Sequence, residues 1–111
     1  MSKKLKPLLP TLKGRKRYIL FEVIADESLV AKDVAKAILQ RANAMLGEIG
    51  MAKSEIKMLS DTWKDNKGVL CVDHRFVDEA RSILMSVTQI NGKRLTITTL
   101  RTSGVINKLK I

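Results

Sequence analysis

The chain has 111 residues and a mass of 12.4 kDa, 45% of it hydrophobic, enough for one domain around one modest core and too little for two. One cysteine (Cys71) and one histidine (His74) exclude an internal disulfide and a four-ligand His-Cys zinc cage. The 21 Lys and Arg outnumber the 11 Asp and Glu for a net charge of +10; no uncharged apolar run approaches a membrane span, and only Leu8 and Leu9 stand where a signal peptide needs a longer apolar stretch. These features point to a soluble, cytoplasmic, single-domain protein.

Residues 1–14 hold Pro7, Pro10 and Gly14 among lysines and read as an extended basic arm, followed by one domain over 15–111. Residues 15–25 are rich in β-branched and aromatic side chains and predict a strand. Its alternation turns Ile19, Phe21, Val23 and Ala25 to the core and Tyr18, Leu20, Glu22 and Ile24 away from it. Val34, Ile38, Ala42, Met45 and Leu46 recur at helical spacing over 31–46, with Gly47 as a stop. Residues 47–53 read as irregular or as one short helical turn. A strand over 56–64, a turn over 65–68 and a return strand over 69–74 form a hairpin. Val77, Ala80, Leu84 and Val87 give a second helix over 76–90, broken by Asn91-Gly92. Residues 93–100 alternate as a fourth strand, and Thr102-Ser103 can cap a short last helix over 104–110.

The order β-α-β-β-α-β, with two right-handed crossovers, predicts an α+β fold. It is a ferredoxin-like, or RNA-recognition-motif-like, two-layer sandwich with a four-stranded antiparallel sheet and a short C-terminal helix. This shape hosts many activities and does not fix function.

The charge is segregated. Residues 1–17 carry +7 and residues 92–111 carry +5, both without an acid, while residues 18–91 carry −2. Positive charge gathered at two ends attracts polyanions, nucleic acid above all. The candidate RNA contacts are therefore Lys13, Arg15, Lys16 and Arg17 at one end, and Arg94, Arg101, Lys108 and Lys110 at the other. An acidic membrane surface needs an amphipathic anchor that this arm lacks. Base stacking has little support: aromatics are 4% of the chain, and Val69 and Cys71 occupy the stacking positions after Lys67-Gly68.

Other chemistries find few residues. Asp61 and Asp73 lie opposite one another only if the hairpin loop is Asn66-Lys67-Gly68, and Glu22 is the sole third carboxylate for a metal-dependent nuclease. Cys71 and His74, three apart on a strand, point to opposite faces. A small-molecule regulatory domain of this topology needs a glycine near Asp26-Glu27-Ser28 and leaves the basic ends unexplained. The face away from the helices is apolar for a solvated one: Tyr18, Leu20, Leu59, Trp63, Val69 and Leu100 form the candidate protein interface, unless the arm or the last helix folds over it.

Leu9-Pro10-Thr11-Leu12, Lys16-Arg17-Tyr18-Ile19, Leu46-Gly47-Glu48-Ile49-Gly50, Gly68-Val69-Leu70, Ile90-Asn91-Gly92-Lys93-Arg94 and Leu100 with Thr102-Ser103-Gly104-Val105-Ile106 follow one another along the chain. In this order they resemble the archaeal ribonuclease P protein component 2 family over nearly the whole length. The resemblance implies a non-catalytic protein subunit of the ribonucleoprotein that trims the 5′ leader from precursor tRNA. It implies that the RNA, with its magnesium ions, does the chemistry, and that the protein binds no cofactor of its own. The implied partners are ribonuclease P RNA, precursor tRNA indirectly, ribonuclease P protein component 3 and the other ribonuclease P proteins, with no membrane. It adds Ser103 and Gly104 to the RNA-contacting set. The sequence departs from the family at Cys71, Val105 and Asn107, where a basic residue, Thr and a basic residue are usual. The alternative is a generic basic RNA-binding protein of ribosomal type.

Overall fold

In a computed structural model, which describes residues 15–104, the elements are β1 (Lys16–Ile24), α1 (Ala31–Ser54), β2 (Lys57–Met58), β3 (Lys67–Asp73), α2 (Val77–Ser86), β4 (Gln89–Ile90), β5 (Lys93–Arg94) and β6 (Thr96–Ser103). The expected arm over 1–14 and the last helix beyond Gly104 lie outside the described residues, as do Lys13, Lys108 and Lys110. The four-stranded sheet has the order β2-β3-β1-β6 with every neighbouring pair antiparallel, and β4 and β5 form a separate small hairpin. The two-layer α+β sandwich expected from the sequence is therefore present.

The alternation of β1 sets the layers. Ile19, Phe21 and Val23 are buried against Val34, Ile38 and Ala42 of α1 and Ala80, Ile83 and Leu84 of α2. On the other face Leu20 and Val69 are also buried, in a second small cluster with Tyr18 and Leu59.

Several boundaries differ from the periodicity. Gly47 bends the first helix without stopping it: its φ of 74° and ψ of 179° are non-helical, and helix resumes to Ser54. Such a backbone is essentially restricted to glycine. The strand expected over 56–64 shrinks to Lys57–Met58, because Ser60–Thr62 turn into a 3₁₀ segment and only Lys64 pairs again, with Lys67. The hairpin loop is Asp65-Asn66, both at positive φ, the two-residue turn that matches strand twist. Asn66 also ties down the β1–α1 connection: its Oδ1 accepts from the Leu29 N–H at 2.9 Å and its Nδ2 donates to the Glu27 carbonyl at 3.2 Å.

The second helix ends at Ser86, not 90, since Asn91 and Gly92, both at positive φ, make a hairpin turn between β4 and β5. The last strand runs over Thr96–Ser103, not 93–100, so Thr102 and Ser103 pair in the sheet. A bulge at Leu100 shifts the register, Leu20 facing Arg101 while Phe21 faces Thr99. The extra residue reverses the alternation. Ile97, Thr99 and Thr102 thereby share the helix side, and Arg101 and Ser103 share the other face with Leu20 and Tyr18.

Candidate nucleic-acid interface

The start of β1 and the ends of β3 and β6 meet at one edge of the sheet, because β1 is antiparallel to both neighbours. This brings Arg15, Lys16 and Arg17 beside Arg101, Ser103 and Gly104, uniting most of the sequence-predicted contacts that the structure describes. The same pairing adds residues that charge counting missed. His74 follows β3 and its N–H donates to the Arg15 carbonyl at 2.7 Å. Arg75 follows, and Arg81 reaches from α2 to donate from Nη2 to Thr102 Oγ1 at 3.1 Å. Counted along the sequence, these residues vanish into a middle segment of net −2. Their signal was position: the end of a return strand must lie beside the start of the strand it pairs with.

The acids at this edge are already engaged. Asp73 is buried and accepts from the Arg75 N–H at 2.9 Å and from Arg75 Nε at 3.0 Å. The Arg75 guanidinium holds the Asp73 carboxyl below the usual carboxylate range, outweighing burial. Arg75 also lies 5.9 Å from the centre of the Phe76 ring. Glu55, the left-handed cap of α1, pairs with Lys16 and raises the ammonium's pKa. Charge compensation keeps these carboxylates from opposing an approaching phosphate.

Arg94 does not join this edge. It lies at the far end, bordering an open hollow of about 610 Å³ with Asp26, Thr88 and Thr96. The eight steps of β1 separate the two ends by roughly 26 Å at about 3.3 Å per residue. Its neighbour Lys93 pairs with Glu27 at 2.6 Å.

The expected protein interface divides. Tyr18, Leu20, Leu59 and Val69 do form one cluster on the sheet face, with Leu20 and Val69 almost fully out of solvent. Leu100, in the bulge, is 46% exposed. Trp63 is a correction. It packs on the helix side against Phe21, and its Nε1 donates to the Leu29 carbonyl at 3.1 Å. The 3₁₀ turn after β2 breaks the strand alternation that put Trp63 on the open face. The largest exposed apolar side chains that sequence reading did not single out stand on the helices, Ile49 at 72% and Met85 at 68%.

The carboxylate pairing also fails. Asp61 sits in the 3₁₀ segment, whereas Asp73 faces Lys16 across the sheet. Among the described residues no three His, Cys, Asp or Glu gather as a metal cage. Cys71 is buried, and burial pushes its thiol pKa up, away from a reactive thiolate. Among the described residues no helix is long and apolar enough to cross a membrane.

Comparison with known proteins finds relatives along nearly the whole chain. The Rpp14/Pop5 family model matches residues 17–111. The ribonuclease P protein component 2 of Pyrococcus abyssi is 39% identical over 107 residues, 96% of this chain and 91% of that protein. Its counterpart in Pyrococcus horikoshii is 38% identical over 110 residues, covering 99% and 92%. The Methanosarcina barkeri protein of the same name is 36% identical over 104 residues, covering 94% and 76%. Among solved structures, a chain of yeast ribonuclease MRP superposes with a TM-score of 0.57 at 19% identity, over 87% of this chain and 79% of that one. At that identity the likeness is one of fold.

Proposed function

The chain belongs to the Rpp14/Pop5 family and is a protein subunit of ribonuclease P; on that premise we propose that it supports the catalytic RNA in removing the 5′ leader from precursor tRNA, without catalytic residues of its own. The observation that carries this reading is the match of the ribonuclease P protein component 2 relatives across 94–99% of the chain. The cationic edge supports it physically. Cations fixed on paired strands match phosphates in a set geometry and contribute a salt-dependent attraction. Stacking contributes little, since Val69 and Cys71 are buried and Tyr18 is the one aromatic on that face among the described residues.

The RNA contacts are Arg15, Lys16, Arg17, Arg101, Ser103 and Gly104 at the edge, with Arg94 meeting a separate stretch of RNA. Lys13, Lys108 and Lys110, on the flanking basic segments, extend this set. The magnesium ions belong to the RNA. Component 3 is the partner protein. It docks on the sheet face through Tyr18, Leu59 and Leu100, because Leu20 and Val69 offer little accessible surface. The complex works in the cytoplasm.

Reconstitution tests the reading. Ribonuclease P RNA at limiting magnesium should remove the leader faster when this chain and component 3 are added together, and the chain alone should cleave nothing. Copurification of the native protein with ribosomes instead of ribonuclease P RNA would favour a ribosomal-type RNA-binding protein and overturn it.

A further inference from the structure

We propose that Arg17 and Arg81, set by Gly104 and Thr102, form a clamp for one RNA phosphodiester group on the helix side of the β1–β6 edge. This rests on the subunit reading above and gives a role to two residues, Arg81 and Thr102, that stand outside the RNA-contact set.

Gly104 carries the argument. Its backbone lies outside the left-handed region, so no conformational need for glycine exists there. What the glycine supplies is room. A Cβ at 104 would lie 3.2 Å from Arg17 Nη1 and 3.7 Å from Arg17 Cζ. The guanidinium thus rests on the bare backbone of residue 104. The pairing of Tyr18 with Ser103 puts Arg17 beside Gly104 in register. Arg17 Nη1 donates to the Lys16 carbonyl at 3.0 Å, which fixes one corner of the group and leaves its other donors for an anion.

The second guanidinium comes from another element. Arg81 on α2 is anchored by Thr102 Oγ1 at 3.1 Å. Asp78, 3.9 Å from Arg81 Nη1, is almost fully exposed, and water screens its attraction. Thr102 and Gly104 are successive same-side positions, which lie about 7 Å apart along a strand. Two guanidinium forks anchored that far apart can share the oxygens of one phosphate. Planar bidentate donors recognise that group better than point charges do. Beyond its own place in the contact set, Gly104 is therefore a positioning residue that sets where Arg17 presents its donors.

The test is binding of the full chain, across a salt series, to ribonuclease P RNA and separately to precursor tRNA, with a scrambled RNA as reference. Arg17→Ala and Arg81→Ala should each weaken binding to the RNA that occupies the clamp by about tenfold, and each should lower the log–log salt slope by roughly 0.7–0.9. Gly104→Ala removes no charge, so the slope should stay, while affinity should fall severalfold as the guanidinium is displaced and nothing further should be lost in an Arg17→Ala background. Thr102→Val should weaken binding through Arg81 alone. Arg17→Lys keeps the charge and loses the fork, so affinity should fall while the slope stays. Circular dichroism checks the fold of each variant, and Arg17→Lys with Thr102→Val carry the test if Gly104→Ala unfolds. A Gly104→Ala affinity equal to wild type, or costs that add in the double variant, overturns the clamp. Wild-type protein that prefers neither RNA to the scrambled one overturns the subunit reading instead.

Discussion

Phe21 and Trp63 meet on the helix side of the sheet, their ring centroids 6.3 Å apart and their planes inclined at 50°. Gly68, paired with Phe21 across β1 and β3, makes the room: a Cβ there would lie 2.9 Å from Trp63 Cε3 and 3.1 Å from Phe21 Cζ. The indole then reaches Leu29 and holds the β1–α1 connection. Trp63 is thus a structural residue of the core margin. Trp63→Ala should destabilise the protein by about 3 kcal/mol through lost packing. Trp63→Phe, which keeps one ring and loses the hydrogen bond and part of the packing, should cost less, about 1–2 kcal/mol. Urea unfolding separates the two, and a Trp63→Ala variant as stable as wild type contradicts this placement.

Asp73 gives the fold an acid-sensitive contact. Its pKa is lowered chiefly by the hydrogen bonds from Arg75, against the opposing effect of burial. A carboxyl whose folded pKa is lowered adds stability that is fully present above its unfolded value, about 3.9. That stability is lost as pH falls through the lower folded value. Thermal midpoints measured from pH 7 down to pH 2 should therefore drop below about pH 4 in the wild type. Asp73→Asn should flatten that acid limb while lowering the midpoint at neutral pH. An unchanged limb assigns acid sensitivity to other carboxylates.

Gly47 differs from Gly68 in what it needs. Nothing lies within 4 Å of a Cβ at 47, so a side chain meets no atoms, but the φ of 74° is strained for any other residue. Gly47→Ala should cost about 1–3 kcal/mol for that reason. Gly47→Asn should cost less if the site relaxes into the left-handed helical region, which asparagine tolerates. Denaturant titration of both variants measures the difference, and equal stability of Gly47→Ala and wild type means the helix straightens through 47.

Thr99 holds a buried hydroxyl oxygen with no hydrogen-bond partner among the described residues. Thr99→Val exchanges that hydroxyl for a methyl of similar shape and removes its desolvation cost. The variant should be more stable by about 1 kcal/mol. A loss of stability in thermal or urea unfolding reveals a partner for the hydroxyl.

The sequence alone determined the layers and the family. Alternation in β1 and helical spacing at Val34, Ile38, Ala80 and Leu84 depend only on which residues avoid water, and that preference is local and strong. The order of elements then allows few topologies. The cations of β1 and β6 were legible for the same reason, as charge without nearby acid.

Tertiary structure decided what depends on neighbours in space. The bulge at Leu100 turned Arg101 and Ser103 to the sheet face, and the 3₁₀ turn at Ser60–Thr62 moved Trp63 to the other side. Each changes the phase of a period-two pattern, and a one-residue shift exchanges the faces. Arg75 and Arg81 entered the candidate interface because antiparallel pairing joins the end of β3 and the flank of α2 to the start of β1. Arg94 left it for the same reason, since the far end of β1 lies a full strand length away. Charge is a property of the sequence, but which charges share a surface is fixed only when strands pair and helices pack across them.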